Sequence, residues 1–382
     1  MTGRESRFDE EMVLFLHNRY RTSGGEERVV EQLLALVREQ LGEQAELLDR
    51  DSATLGRGRA AAGLLRGGLA PEDVGRAVRL TGARVVHAHN LNPTLGWRSL
   101  MAARAAGARV VLHLHQYRMV CAIGVCFTRG AECTRCHGRN TLPGVRLNCR
   151  GSLPEAAAYG ASLALWQRRL AEQADAVIVP SAFARERLRE LGAPLPWERV
   201  HVLAPPVRAV AAESRAAAGG YALVVSRLAV EKGVDVAIEA CRAAGMTLVI
   251  AGEGTEGDVL QEQADSSDVR FVGHVDDAKL AALRAGAAIA LVPSRSAETF
   301  GLAAAEAMAA GLPVAASRVG ALPELVDEHG LVPAGDVGAL ARAITRLAGD
   351  QAAGARGLER VRELCAPAVV ARRLAEVYDA VG

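Results

Sequence analysis

The chain has 382 residues, enough for two or three domains at roughly 150 residues each, and with 50% apolar and 23% charged residues it has the make-up of a soluble globular protein. No apolar run approaches the roughly 18 residues of a membrane span, and the charged opening Arg4, Glu5, Arg7, Asp9, Glu10 and Glu11 leaves no apolar signal segment, so neither secretion nor membrane insertion is expected. A formal net charge of +1 excludes a dedicated nucleic-acid binder, which carries a strongly basic domain.

Short β-branched or apolar runs alternate with stretches of helical period. The first run, 12–16, precedes a helix over 26–41 that carries Val29, Val30, Leu33, Leu34 and Val37 on one side. Strands follow at 85–89, 110–113 and 176–180, with helices at 170–174 and 183–191. After a Pro- and Ala-rich linker at 205–220 the pattern restarts, with strands at 221–226, 247–251, 269–272, 289–292 and 313–315. Helices at 234–243 and 302–310 accompany them, and a last helix, 369–381, follows Pro367 and is expected to cross back to the first domain. Such alternation implies parallel sheets covered by helices on both faces. The expected division is an N-terminal domain 1–205, a C-terminal domain 206–366 and a returning helix 367–382.

The chain holds 43 Arg but only two Lys, Lys232 and Lys279, so a surviving lysine marks a position where Arg does not substitute. Residues 1–200 carry net +7 and residues 201–382 net −6, which reads as two solvated faces or as a mildly basic surface for an anionic acceptor or the inner face of a membrane.

Two motifs carry most of the chemistry. In SRLAVEKG, 226–233, a strand runs into Arg227 and a short loop brings Lys232 to a helix start, a placement suited to a phosphate or diphosphate. In AETFGLAAAEAMAAGLPV, 297–314, Glu298 lies in a loop before a helix whose first amides, around Phe300, Gly301 and Leu302, bind an anion. Glu306 sits among Ala303–Ala305 and Ala307–Ala310, which marks a buried acid in need of partners and able to hold a diol such as a ribose. The alternative for all four charges is an ordinary solvated surface.

These blocks resemble the family 4 glycosyltransferases, with further matches at HNRYRTSGGEERVV (17–30), VVHAHN (85–90), HLHQYRMVC (113–121) and VPSAFARERL (179–188). The resemblance covers nearly the whole chain and implies a GT-B fold, an α/β architecture of two Rossmann-like doubly wound domains facing across a cleft. It implies a cytoplasmic, retaining enzyme of the hexosyl- or N-acetylhexosaminyltransferase type, moving a sugar from a UDP- or GDP-type donor to an acceptor hydroxyl, with no cofactor needed for catalysis. On that basis Arg227 and Lys232 neutralise the diphosphate, faced by the Gly24–Gly25 amides; Glu298 binds sugar hydroxyls; and Glu306 takes the ribose. His115 lies beside the transferred sugar, the backbone of Val272, Gly273 and His274 reads the base, and Gly252 joins the donor-binding set.

Three other features compete for attention. Gly252, Gly254 and Gly257 spell GxGxxG, the weak signature of a dinucleotide site with Asp276 or Asp277 as the ribose acid. His87/His89 and His113/His115 occupy alternate strand positions, so each pair shares a face, as core residues or in a cleft. Five cysteines fall within 119–150, where Cys133 and Cys136 have the spacing of half a zinc site and Cys121 and Cys149 complete four ligands; free thiols and a disulfide are the alternatives. Similar sequences of the family branch carry cysteines matching these four, whereas Cys126 is an extra. Outside glycosyl transfer, the chain reads as a non-catalytic nucleotide-sugar binder or a zinc-stapled binding module.

Overall fold

The computed structural model describes residues 11–20, 24–264 and 268–382. Its first sheet is parallel throughout and contains β1 (Met12–Arg19), β2 (Gln44–Asp51), β3 (Val85–Ala88), β4 (Arg109–His113), β7 (Ala176–Val179) and β8 (Val200–Val202), in the order β2-β1-β3-β4-β7-β8. A small antiparallel hairpin, β5 (Phe127–Thr128) and β6 (Ala131–Glu132), stands apart from it. The second sheet, also parallel, contains β9 (Tyr221–Val225), β10 (Leu248–Ala251), β11 (Val269–Gly273), β12 (Ala287–Val292), β13 (Val314–Ser317) and β14 (Leu331–Val332). Its order, β11-β10-β9-β12-β13-β14, reverses direction between β9 and β12, and the first sheet reverses between β1 and β3. Ligands of doubly wound sheets bind outside the carboxyl ends of the strands at such reversals.

The inner strands of each sheet are buried on both faces, which is why they read as continuous apolar runs rather than alternating ones. On β1, Leu14 and Leu16 pack into one core with Val86, Val110 and Leu112, while Val13 and Phe15 pack into another with Val29, Leu33 and Val111. This second core is closed by the helix Pro367–Val381, whose Val370, Leu374, Val377 and Tyr378 return to the first sheet after the chain has built the second. Each of these fully buried aliphatic side chains contributes roughly 1.5–3 kcal/mol against exposure.

The structure departs from the sequence reading at several elements, among them the helices Pro71–Thr81, Gly96–Ala105, Val337–Leu347 and Gln351–Cys365, which that reading does not name. Edge strand β2 was not expected, because its QAELLDRD sequence is half exposed and lacks a β-branched run. The edge strands β8 and β14, three and two residues long, were missed because so short a run shows no periodicity. The helix expected at 170–174 is the end of a 20-residue helix, Leu153–Glu172, whose Ala- and Gly-rich first half carries no clear apolar period. The helix expected at 26–41 is α-helical only over Gly25–Leu36 and widens into a π-turn, Val37–Leu41. The stretch placed as a linker crosses the second unit closely: the Val207 amide donates to the Cys365 carbonyl and the Ala211 amide to that of Ala309.

Candidate functional site

The loops after β9 and β12 meet at the reversal of the second sheet. Lys232 ends a short 3-10 turn, Val230–Lys232, and its Nζ donates to Glu298 Oε1 at 2.7 Å. The Ser294 hydroxyl donates to the same oxygen at 2.6 Å. Burial by itself raises the Glu298 carboxyl, but the Lys232 ammonium and these two hydrogen bonds outweigh it and hold the group below its ordinary value. Arg227 is half exposed and pairs with Glu231, one helical turn on, at 2.5 Å. The expected placement of Glu298 before a helix holds: the helix is Leu302–Ala309, with Gly301 at its N-cap (φ 97°) and no side chain capping it.

Glu306 has the partners that its burial demands. Its carboxylate accepts from Arg28 at 2.9 and 3.1 Å and from Arg284 at 2.5 Å. Arg28 belongs to the helix Gly25–Leu36 of the first unit, so this acid is shared between the two sheets' units. The glycine loop reaches the same place: a side chain on Gly25 would meet Leu302 Cδ2 at 3.3 Å. The Gly24 amide donates to Glu27 at 2.9 Å as part of the helix cap, and the rest of the loop, residues 21–23, lies outside the described residues. Thr299, next to Glu298, ties the units together again, with its hydroxyl donating to the His115 carbonyl at 2.9 Å and its own carbonyl accepting from the Ser181 hydroxyl at 2.6 Å. Helix Ala182–Glu190 of the first unit starts against Glu324 of the second, which accepts from the Ala182 and Phe183 amides at 3.0 and 2.5 Å.

The four histidines form one stacked array in the first unit. His89 and His115 share a hydrogen bond of 2.8 Å, His87 and His113 one of 3.1 Å, and His87 a further one of 2.7 Å with the Tyr378 hydroxyl. Neighbouring rings lie 4.2–5.3 Å apart, tilted by 10–30°. Burial drives all four towards the neutral form, with His87 pushed down to about 3. Among the described residues, the one set of three ligating groups whose donor atoms all lie within 4.8 Å of one another is His87, His89 and His113. Their rings stack nearly parallel, so their in-plane lone pairs do not converge on one ion.

Cys121, Cys126, Cys133, Cys136 and Cys149 line one small cavity as free thiols, beside the β5–β6 hairpin. No three of their sulfurs lie all within 4.8 Å of one another. Burial pushes the Cys136 thiol up to about 11, whereas a hydrogen bond from Cys126 draws Cys121 down to about 6. The GxGxxG glycines have a packing reason. A side chain on Gly252 would strike the Ser226 carbonyl at 1.9 Å, and one on Gly254 the Leu228 carbonyl at 2.1 Å, so these glycines let the Arg227 loop lie on β10. Gly273 accepts from the Gly252 amide at 2.8 Å, and the exposed His274 amide donates to Glu253, with Val272 half-buried beside them.

Residues 12–206 match the model of the glycosyl transferase 4-like domain, and residues 219–350 match that of the glycosyl transferases group 1. The chain belongs to the family 4 glycosyltransferases. Among relatives in this group, a glycogen synthase of Mycobacterium tuberculosis is 43% identical over 153 residues, 37% of this chain and 37% of that protein. A GDP-mannose-dependent alpha-(1-6)-phosphatidylinositol dimannoside mannosyltransferase of the same species is 37% identical over 172 residues, 41% of this chain and 45% of that protein. The chain thus spans less than half of these curated relatives. Solved structures align along nearly the whole length. The sucrose-phosphate synthase of Thermosynechococcus elongatus has a TM-score of 0.70 at 20% identity, covering 97% of this chain and 98% of that one. Anabaena HepE, solved with UDP and glucose, has a TM-score of 0.63 at 19% identity, covering 96% and 98%. With two parallel sheets of reversing strand order, these likenesses establish the GT-B fold.

Within this chain the structure pairs Lys232 with Glu298 in the loop that leads to Gly301 and Leu302, and sets the His115 backbone against Thr299. Sequence reasoning missed Arg28, Arg284, Ser294 and Thr299. In a chain with 43 arginines no single one stands out, and a lone hydroxyl carries no spacing signal.

Proposed function

We propose that this chain transfers a glycosyl residue, with retention of configuration, from a UDP- or GDP-linked donor to an acceptor hydroxyl. The observation that carries the reading is the Lys232–Glu298–Ser294 cluster at the strand reversal of the second sheet, beside the uncapped start of helix Leu302–Ala309. In it, Lys232 and Arg227 neutralise the diphosphate, and the amides around Phe300, Gly301 and Leu302 add their partial positive charge. Stabilising the leaving diphosphate with fixed cations and amides is the main catalytic contribution. Glu298, kept ionised, accepts hydrogen bonds from sugar hydroxyls, with His115 across the cleft. Glu306 takes the ribose in exchange for one of its arginine partners, Gly24, Gly25 and Gly252 frame the phosphates, and Val272, Gly273 and His274 border the base. Relatives named as mannosyltransferases that depend on GDP-mannose, and a neighbour solved with UDP, support both donor types.

Thermal shifts with UDP, GDP, ADP and dTDP, each free and sugar-linked, test the reading. Selective stabilisation by one base supports it. Absence of any shift, together with no release of nucleotide in the presence of acceptors, overturns it.

For the cysteine cluster we propose structural zinc held by Cys121, Cys133, Cys136 and Cys149. Gathering four thiols around one cavity supports it, in a segment whose regular structure is only a two-stranded hairpin and one turn of helix. Zinc bonds of ~2.3 Å require the sulfurs to close to about 3.8 Å of one another.

A further inference from the structure

A second cavity, of about 710 Å³ counting the space open to solvent, lies wholly within the first unit, its wall drawn from residues between Tyr20 and Leu170. Where it borders the second unit the wall is polar. Glu26 accepts from the Tyr20 hydroxyl at 2.8 Å and from Gln116 Nε2 at 3.1 Å, and His115 and Arg118 stand beside them. Elsewhere the wall is apolar, made by Leu64, Trp97, Leu163 and Trp166 on three helices, with the two indoles 5.8 Å apart.

Two details define what fits. His89 Nε2, Gln167 Oε1 and Trp97 Nε1 are buried on this wall and have no hydrogen-bond partner among the described residues, although His89 and Gln167 are only 3% and 2% exposed. Buried polar atoms of this kind call for a ligand or an ordered water. The indoles, however, do not offer a free stacking platform for a sugar ring: Trp97 packs at a tilt of 36° on Trp166 and lies under the Arg169 guanidinium at 5.2 Å. What they leave is a wall of ring edges and leucine methyls. The same helices carry half-exposed Leu65 and Leu165, so apolar surface continues outward.

Resting on the glycosyl-transfer reading, we propose that this cavity holds the acceptor and that the acceptor is amphiphilic. A hydroxylated head group lies beside Glu26 and His115 with its polar atoms on His89, Gln167 and the Trp97 indole N–H, and an acyl, isoprenoid or aromatic portion lies along Leu64, Leu163 and the Trp166 ring. A free, wholly hydrophilic glycan leaves that wall unused.

The test uses the full chain with octyl β-D-glucopyranoside, below its micellar concentration, and methyl β-D-glucopyranoside, read by titration calorimetry with nucleotide present. The octyl glycoside is expected to bind on the order of a hundredfold tighter, the ratio given by about four buried methylenes. Trp166→Gln and Leu163→Ala are each expected to cut that ratio at least tenfold while leaving the thermal shift by nucleotide intact. Equal binding of the two glycosides, or a ratio unchanged in both variants, overturns the proposal. Selective octyl binding in a chain that responds to no nucleotide overturns the acceptor assignment through the glycosyl-transfer reading itself, so the two failures are distinct.

Discussion

The guanidinium of Arg28, in the first unit, donates to both carboxylate oxygens of Glu306, in the second, 278 residues away and 7% exposed. Arg284 completes the charge pairing from the second unit, and Asp277 stands 3.7 Å from Arg28 on its exposed side. A carboxylate so placed is at once a bolt between the units and the group proposed to receive a ribose. The two uses compete, because a diol and Arg28 approach the same oxygens.

Removing Arg28 therefore separates the roles. Arg28→Ala is expected to raise affinity for the free nucleoside diphosphate severalfold, since Arg284 alone still neutralises Glu306, while Glu306→Gln lowers it about tenfold through loss of charge-assisted hydrogen bonds. Glu306→Ala, which leaves Arg284 buried without its partner, is expected to cost about 3 kcal/mol of stability. Calorimetric titration and urea unfolding read the two effects, and unchanged nucleotide affinity in Glu306→Gln would remove the ribose role.

At the Lys232–Glu298 pair, Lys232→Ala is expected to weaken both donor binding and turnover by about a hundredfold, as loss of a charge-assisted contact to phosphate does. Arg227→Ala, starting from an exposed side chain, acts in the same direction and less strongly. Glu298→Ala is expected to lower turnover far more than nucleotide affinity, because its proposed contact is to the sugar and not the diphosphate. Near-normal kinetics in Lys232→Ala and Arg227→Ala together would sink the diphosphate assignment.

The histidine array gives a pH dependence whose sign follows from burial. His87, His89, His113 and His115 titrate below 6.5 in the folded chain, with His87 near 3, whereas the unfolded chain protonates them near 6.5. Below 6.5 the unfolded state binds more protons, so stability is fully present above that pH and falls as pH drops towards the folded values. Each such histidine contributes up to about 1.4 kcal/mol per pH unit. The urea midpoint is expected to be clearly lower at about pH 5 than at about pH 7, with the first sheet's helices opening first in hydrogen exchange. A midpoint that stays flat across this interval would contradict the neutral, buried array.

For the cysteine cavity, metal analysis of purified protein is expected to find about one zinc per chain, and Cys133→Ser with Cys136→Ser to lose it together with several degrees of Tm. Metal-free protein with all seven thiols accessible to titration after unfolding would leave free cysteines instead.

Much of the second unit was legible because its signals are local. Strands such as 221–226 and 289–292 are buried on both faces and read as unbroken apolar runs, and the Lys232 loop and the Glu298 turn sit directly at strand ends. A rare lysine in an arginine-rich chain marked one half of that pair before any coordinates did. The first unit was less legible. Edge strand β2 is polar, the helix Leu153–Glu172 is masked by alanine and glycine, and the cavity it walls joins residues from Tyr20 to Leu170.

The sequence by itself determined the alternation of strands and helices, and hence two parallel sheets, because hydrophobic period and strand-end chemistry act over a few residues. Only the tertiary structure decided who partners whom. Arg28 meets Glu306, Thr299 meets His115, and Tyr378 of the last helix meets His87 of β3, across 278, 184 and 291 residues. Those pairings depend on which faces the two sheets bury and how the final helix returns, and no local pattern encodes a distance of that kind.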